Sequence, residues 1–219
     1  MSIIHISHLA AEPLTDYLIS RGHILSVIQD DPRLGDGVGA HADLRMCKLG
    51  AVPESPIVFA SRDDYSGGYP NDAAMCAVCL DKYIIHRTDI TSPALLSAAL
   101  SLGLTPVNVR QGYAKCGCVA VDGRSIITSD DGICSALSDV PDIDVLKISP
   151  GHVLLPGFPY GFLGGASGRI GDEIVFNGDL SAHPDFAAIE DFLCVRGLKL
   201  RYFAGYELTD IGSVIEEHI

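Results

Sequence analysis

The sequence has few basic residues for its size. Its 219 residues include 15 Lys and Arg against 28 Asp and Glu, which gives a formal net charge of −13 at pH 7. Binding to a nucleic-acid backbone depends on clustered Lys and Arg side chains that neutralise phosphates. The charge therefore argues against nucleic acid as a partner and favours a small molecule or another protein.

Long apolar segments are also missing. No run approaches the roughly 18 apolar residues that a membrane-spanning helix needs, and the first residues lack the basic stretch, apolar core and cleavage site of a secretory signal. The 7 cysteines are an odd number in a chain long enough to fold without disulfides, which is typical of a reducing compartment. We therefore expect a cytoplasmic protein without membrane contact.

A supersecondary pattern recurs along the chain. Each copy begins near a tyrosine with an apolar run, turns into a second run that ends at an Asp-containing cluster, and closes with a helical stretch and a third run. The leading residues Tyr69, Tyr113, Tyr160 and Tyr206 are 44, 47 and 46 residues apart. The pattern predicts ββαβ units of about 44 residues, within the usual range for structural repeats.

Two copies depart from this pattern. The first, which begins near Gly39, is shorter and lacks most of its helix. The fifth is split, because its opening strand follows Tyr206 while its helix and closing strand lie in residues 11–29. Pairing of the N- and C-terminal parts would close a ring without an exposed sheet edge. We therefore expect a single α/β domain over residues 1–219, with five units around a pseudo-fivefold axis.

Local signals agree with these units. VDGR at 121–124 and IGDE at 170–173 predict tight hairpin turns. Asp89, Asp130 and Asp179 lie where a following helix needs an N-cap. Because these aspartates recur once per unit, we interpret them as structural.

Five ββαβ units around one axis resemble the pentein, or guanidine-modifying enzyme, superfamily. More narrowly, the chain is similar to an uncharacterised bacterial family assigned to that fold, through RQGYAKC at 110–116, PGFPYGFLGGASG at 156–168 and ELTDIG at 207–212. The resemblance implies a closed five-bladed α/β propeller. The superfamily contains guanidine hydrolases and also a non-catalytic ribosome anti-association factor, so the fold leaves both function classes open.

In such a ring the N-terminal ends of the first strands point toward the axis, and the residues there converge. The polar and small residues expected at the centre are His41 and Asp43 from the first copy, Asn71 and Asp72 from the second, Cys116 from the third, Gly164 and Gly165 from the fourth, and Asp210 from the fifth.

The resemblance also implies roles. Enzymes of the superfamily use a Cys nucleophile, a His that transfers protons, and carboxylates that bind the guanidinium. The segment Gly39-Ala40-His41-Ala42-Asp43 is similar to the Gly-x-His-x-Asp of the deiminase branch, and Cys116 is similar to the strand-opening nucleophile. An imidazolium beside Cys116 would stabilise its thiolate, and Asp43 would orient His41. Strand periodicity would put Cys118 on the same face, as an alternative nucleophile or a resolving partner.

The fourth copy departs from the family, since residues 162–166 hold no acid where the guanidinium would be bound. Asn71 and Asp72 look like the acidic pair of dimethylarginine-hydrolysing relatives, but they stand in the second copy. Either the substrate is held differently or it is not a guanidine.

We therefore expect a cysteine-dependent hydrolase of a small guanidine-like, amidine-like or other nitrogenous substrate, without a metal or cofactor. The catalytic residues would be Cys116, His41 and Asp43. The substrate-binding residues would be Asp72, Asn71, Asp210, Gly164, Gly165 and Cys118. The alternative is a catalytically silent protein that binds a partner or associates with the ribosome.

Simpler interpretations exist for several of these residues. A cysteine in an apolar strand is commonly a small hydrophobe, and an isolated His41 is commonly a structural histidine. Cys76 and Cys79 would point to opposite faces of a strand and have no second ligand pair, which argues against a zinc site. The glycines at 164–168 lack the Lys of a phosphate loop and are explained by close packing.

Overall fold

In the computed structural model, which describes residues 2–62, 64 and 68–219, the chain forms short strands joined by short helices. The strands are β1 (Ser2–Ser7), β2 (Ile24–Ile28), β3 (Met46–Lys48), β4 (Ile57–Phe59), β5 (Val78–Cys79), β6 (Tyr83–His86), β7 (Thr105–Asn108), β8 (Cys118–Asp122), β9 (Ser125–Thr128), β10 (Asp144–Lys147), β11 (Ser167–Ile170), β12 (Glu173–Phe176), β13 (Lys199–Arg201) and β14 (Ile215–His218).

The helices are equally short. They are α1 (Glu12–Ser20), α2 (Pro93–Ser101), α3 (Ala114–Gly117), α4 (Asp131–Leu137) and α5 (Phe186–Cys194), with 3-10 turns at Ala42–Leu44, Asn71–Ala73 and Leu180–Ala182. Within the described part of the chain, every helix is too short or too polar to span a bilayer.

The strands form five small sheets, and four of them repeat one topology. In each of these four, the middle strand pairs antiparallel with one neighbour and parallel with the strand that follows the helix. Sheet 2 is β5-β6-β7, sheet 3 is β8-β9-β10, sheet 4 is β11-β12-β13, and sheet 5 is β14-β1-β2. The predicted ββαβ units are therefore present.

The two unusual copies also match their predictions. Sheet 1 contains only β3 and β4 among the described residues, without a helix. In sheet 5, β14 pairs antiparallel with β1, from Ser2 opposite His218 to His5 opposite Ile215. The N- and C-terminal parts of the chain thus belong to one sheet.

Each sheet packs on the next through apolar side chains that are buried from water. One apolar cluster joins each pair of neighbouring sheets. Sheets 1 and 2 meet at Cys47 and Cys79, sheets 2 and 3 at Leu80 and Ile126, and sheets 3 and 4 at Val119 and Ile174. Sheets 4 and 5 meet at Val175 and Ile4, and sheets 5 and 1 at Ile215 and Met46. Burial of such side chains contributes roughly 1.5–3 kcal/mol for each large one. The first strands of all five sheets, which we call the inner strands (β3, β5, β8, β11 and β14), line one common cavity of about 50 Å³.

The turn predictions are confirmed, and two of the three cap predictions are as well. Gly123 and Gly171 lie in the tight turns between β8 and β9 and between β11 and β12. The Asp130 carboxylate accepts a hydrogen bond from the Ile133 N–H at 2.8 Å, and Asp179 accepts one from the Ser181 N–H at 2.9 Å.

The expected cap at Asp89 is wrong. Helix α2 is capped by Ser92, whose side chain accepts a hydrogen bond from the Leu95 N–H, while Asp89 forms an ion pair with Arg87 at 3.0 Å. The reason is Pro93, whose fixed φ suits the first helical position and places the cap immediately before it.

The difference between these aspartates is measurable. We expect Asp130→Ala to lower the free energy of unfolding by about 1 kcal/mol, since it removes the N-cap of α4. Asp89→Ala removes only an exposed ion pair and should change it by less than about 0.5 kcal/mol. Urea denaturation of both variants checks this, and equal losses would contradict the assignment.

Candidate functional site

Polar side chains that precede two of the inner strands meet in one buried cluster. His41 and Asp43 come before β3, and Cys116 comes before β8. One donor atom from each lies within 4.8 Å of the other two. The three residues are only 2%, 0% and 3% exposed, respectively. They come together as the sequence predicts, while their chemical roles remain predictions.

A chain of hydrogen bonds runs through this cluster. The Cys116 thiol donates to Asp43 Oδ2 at 3.0 Å, and the same oxygen accepts from the Ser213 hydroxyl at 2.6 Å. Ser213 Oγ in turn accepts from Lys115 Nζ at 3.0 Å. Ser213 has φ +69°, a conformation that is uncommon for a residue with a side chain and is found at functional sites.

His41 has no hydrogen-bond partner at either ring nitrogen among the described residues, and neither has Asp43 Oδ1. Asp43 therefore makes no hydrogen bond to His41, and its role in orienting His41 stays a prediction. A buried polar group without a partner costs roughly 1–3 kcal/mol. These three atoms are the side-chain atoms of the cluster that lack a hydrogen-bond partner in the described part of the chain.

Three glycines permit the close approach of chain segments at this site. A Cβ at Gly212, where φ is +76°, would lie 2.2 Å from His41 Cβ, and a Cβ at Gly165 would lie 2.0 Å from Asp210 Oδ1. A Cβ at the neighbouring Gly164 would lie 2.5 Å from the Cys116 carbonyl oxygen. Gly164 and Gly165 therefore make room for Cys116 and Asp210, and substrate contact by them remains a prediction.

Asp210 joins the fourth and fifth copies. Its carboxylate accepts hydrogen bonds from the N–H groups of Phe162 at 2.9 Å and Gly212 at 3.0 Å. Burial raises the pKa of Asp210, and the nearby His41 lowers it. In the free protein this carboxylate therefore has a structural partner on each oxygen.

Asp72 lies beside the cluster. Both of its oxygens accept from the Tyr113 hydroxyl, at 3.1 and 3.0 Å, and burial raises the pKa of Asp72. No hydrogen bond joins Asp72 to His41, Asp43 or Cys116. Its predicted companion, Asn71, is exposed in the same 3-10 turn.

The placement expected for Cys118 is wrong. Cys116 lies in helix α3 and not in a strand, so the alternation of side chains along a strand does not apply to the pair. Cys118 begins β8, packs in the apolar cluster of sheets 2 and 3, and has its pKa raised to about 12 by burial. The thiol that does approach Cys116 belongs to Cys76, with the two Sγ atoms 3.7 Å apart. Cys79 lies in a different cluster from Cys76, as predicted.

The surroundings of Cys116 favour its protonated form. The hydrogen bond with Cys76, burial and the negative charge of Asp43 together raise the pKa of Cys116 well above its usual range. This differs from the predicted thiolate beside an imidazolium, because the nearest polar partner is a carboxylate. Leu34 and Val38 pack in the same apolar cluster as Cys116 and cover it.

Nitrogen, oxygen and sulfur donors within 4.8 Å of one another could also hold a metal ion such as Zn²⁺. Only His41, Asp43 and Cys116 form such a group in the described part of the chain. The sequence-based expectation of no metal remains a prediction.

Removal of the Asp43 charge should make Cys116 more reactive. In Asp43→Asn the thiolate no longer faces a carboxylate, so its pKa falls and its alkylation at pH 7 becomes faster, by about tenfold for each pKa unit. The pH profile of iodoacetamide labelling of the Cys116 peptide, followed by mass spectrometry, measures this. Asp72→Asn is the matched control, because Asp72 is buried nearby without contact to the thiol. A profile that shifts equally in both variants, or in neither, would contradict the assignment.

A model of a family of unknown function, DUF6873, matches residues 5–215. None of the curated proteins matches the chain. Among solved structures, the chain is similar to the N-terminal domain of ArgZ, an arginine dihydrolase from the ornithine-ammonia cycle in cyanobacteria. The identity is 10% and the TM-score 0.49, over 93% of this chain and 92% of that one.

Proposed function

The chain belongs to the DUF6873 family of unknown function, and we propose that it is a cysteine-dependent hydrolase of a small cationic nitrogenous substrate such as an amidine or guanidine. The observation that carries this proposal is the buried cluster in which the Cys116 thiol, the Asp43 carboxylate and the unpartnered His41 ring lie within 4.8 Å.

A positively charged substrate suits this cluster for an electrostatic reason. Asp43 and the burial of the site hold Cys116 in its thiol form. An amidinium placed beside Asp43 would offset the carboxylate charge and stabilise the thiolate. The substrate itself would thus activate the nucleophile, and the free protein would keep an unreactive thiol.

The proposed reaction assigns each proton. As Cys116 Sγ bonds to the central carbon of the substrate, the thiol proton passes to Asp43 Oδ2, its hydrogen-bond acceptor at 3.0 Å. A proton from His41 goes to the departing amine as the carbon–nitrogen bond breaks. One water molecule, deprotonated by His41, then attacks the same carbon; the carbon–sulfur bond breaks, and the released Cys116 thiolate takes back the proton held by Asp43. The net reaction consumes one water and releases one amine or ammonia.

Asp72, Asn71 and Asp210 are further candidates for substrate contact. Asp72 is the strongest of them, because it is a buried carboxylate beside the cluster and both of its oxygens accept from the Tyr113 hydroxyl. The Gly39–Asp43 motif, which is similar to that of the deiminase branch, supports the same substrate class. Gly164 and Gly165 would shape the site, and Cys118 would take no direct part.

The wider expectations belong to the same proposal. Five mutually packed sheets support a closed propeller of pentein type in one domain. The excess of acidic residues supports a small-molecule substrate and no nucleic-acid partner. The free cysteines support a cytoplasmic location. The reaction as written requires no metal or cofactor.

The competing function is that of a catalytically silent protein that binds a partner or associates with the ribosome. The burial and high pKa of Cys116 favour it, since they describe an inert structural cysteine. The two functions differ in whether a cation reaches the thiol.

A matched pair of alkylating agents separates these functions. Chloroacetamidine carries a positive charge, and chloroacetamide is a neutral molecule of nearly the same shape. If the site accepts an amidinium, the cationic reagent should label Cys116 at least about tenfold faster than the neutral one, after each rate is divided by the rate at the exposed Cys194.

The controls are His41→Gln, Asp43→Asn and the addition of a chelator. Asp43→Asn should abolish the preference for the cation, and His41→Gln should leave alkylation while preventing turnover of any amidine or guanidine that the protein hydrolyses. A chelator should change neither. A Cys116 that shows no preference for the cationic reagent would overturn the hydrolase proposal and favour the silent binding protein.

A further inference from the structure

The cavity shared by the inner strands, which we call the hub cavity, is separate from the cysteine cluster. It is lined by residues of β3, β5, β8, β11 and β14, whereas His41, Asp43 and Asp210 lie before those strands and do not line it. Its volume is about 50 Å³, and about 10–15 Å³ of such space holds one water molecule. It can therefore hold a few waters or one small ion.

Three cationic side chains line this cavity, namely Lys48, Lys115 and Arg169. All three are half-buried. They come from three different sheets or the turns that precede them, so they are far apart in sequence and brought together by the fold. In a chain with a net charge of −13, such a convergence of basic groups is notable.

None of the three cations forms an ion pair with a carboxylate in the described part of the chain. Lys48 Nζ donates to the backbone oxygen of Glu216 at 2.7 Å, and Arg169 donates to the backbone oxygens of Gly171 and Val121 at 3.1 and 2.9 Å. The partner of Lys115 Nζ is the Ser213 hydroxyl. The positive charges are thus held by neutral groups.

The one acid that lines the cavity has its oxygens occupied. Glu216 Oε1 accepts from the Ser2 hydroxyl at 2.7 Å, and Oε2 accepts from the Gly171 N–H at 2.9 Å. Burial is the main cause that lowers the pKa of Lys48 to about 8; the charge of Glu216 opposes this shift, and that of Arg169 contributes to it. Like charges in a confined, partly dry space repel each other unless an anion joins them.

We infer that the hub cavity is a binding site for one small oxyanion, of the size and charge of sulfate or phosphate, held by Lys48, Lys115 and Arg169. Each cation keeps donor hydrogens beyond those already used, since an ammonium carries three and a guanidinium five. Bonds from such groups to an oxyanion are charge-assisted and therefore stronger than neutral ones.

The site is connected to the cysteine cluster by Lys115. The same ammonium that lines the cavity donates to Ser213, which is bonded to Asp43, the partner of the Cys116 thiol. An oxyanion in the cavity would thus bind one end of this hydrogen-bond chain. The binding site itself does not depend on whether Cys116 is a nucleophile.

Isothermal titration with sulfate, with chloride as a comparison at equal ionic strength, tests the proposal on the intact protein. We expect saturable binding of one sulfate and none of chloride. Because each substitution removes a charge-assisted hydrogen bond to the anion, Lys48→Gln and Arg169→Gln should each weaken sulfate binding by at least about tenfold. The control is Lys82→Gln, an exposed lysine that is paired with Asp142 at 2.8 Å and should leave binding unchanged.

A second measurement covers the case in which those variants fail to fold. Crystals of the wild-type protein soaked in selenate should show an anomalous peak within hydrogen-bond distance of Lys48 and Arg169. An empty cavity in such crystals, or sulfate affinity that Lys48→Gln and Lys82→Gln change equally, would overturn the inference. Activity toward amidines plays no part in either measurement.

Discussion

The hydrogen bond between the Cys116 thiol and the Asp43 carboxylate, made where water is excluded, is the interaction on which the site depends. It brings a thiol and a negative charge together at 3.0 Å, and the pKa of the thiol is raised. In water the pair would cost little, but in a buried site a second negative charge beside Asp43 is strongly disfavoured. A cation is the ligand that would remove this conflict, and for this reason we propose a positively charged substrate.

The repeated units explain how such a pair can form. Each copy contributes one short segment before its inner strand, and the packing of sheet on sheet brings the segments that hold His41, Asp43 and Cys116 together. Sheet packing alone would leave too little space there, and Gly165 and Gly212 supply it by admitting Asp210 and His41. The hub cavity beyond this cluster is lined by Lys48, Lys115 and Arg169 together with the acid Glu216.

The sequence predicted the architecture well because the repeats carry it. Regular spacing of Tyr69, Tyr113, Tyr160 and Tyr206 marks the units, and hydrophobic periodicity depends only on local residues. The repeats also predicted that His41 and Asp43 of the first copy meet Cys116 of the third, since these residues precede the inner strands of their copies.

The contacts between side chains of different copies could not be predicted from the sequence. Cys116 lies in a helical turn where a strand was expected, which separates it from Cys118 and brings Cys76 close. The sequence assigned no role to Ser213 or Lys115, and only the assembled structure shows that Ser213 links Lys115 to Asp43. The direction of the Cys116 pKa shift likewise depends on contacts with Cys76 and Asp43, which belong to other copies, and on burial. The most direct test is a pH titration of the Cys116 thiolate, followed by its ultraviolet absorbance. The absorbance of the Cys116→Ser variant is subtracted from that of the wild-type protein, and the titration is made with and without acetamidine. The account predicts a thiol that stays protonated at neutral pH in the free protein and ionises at lower pH when the amidinium is bound. A titration midpoint that acetamidine does not move would contradict it.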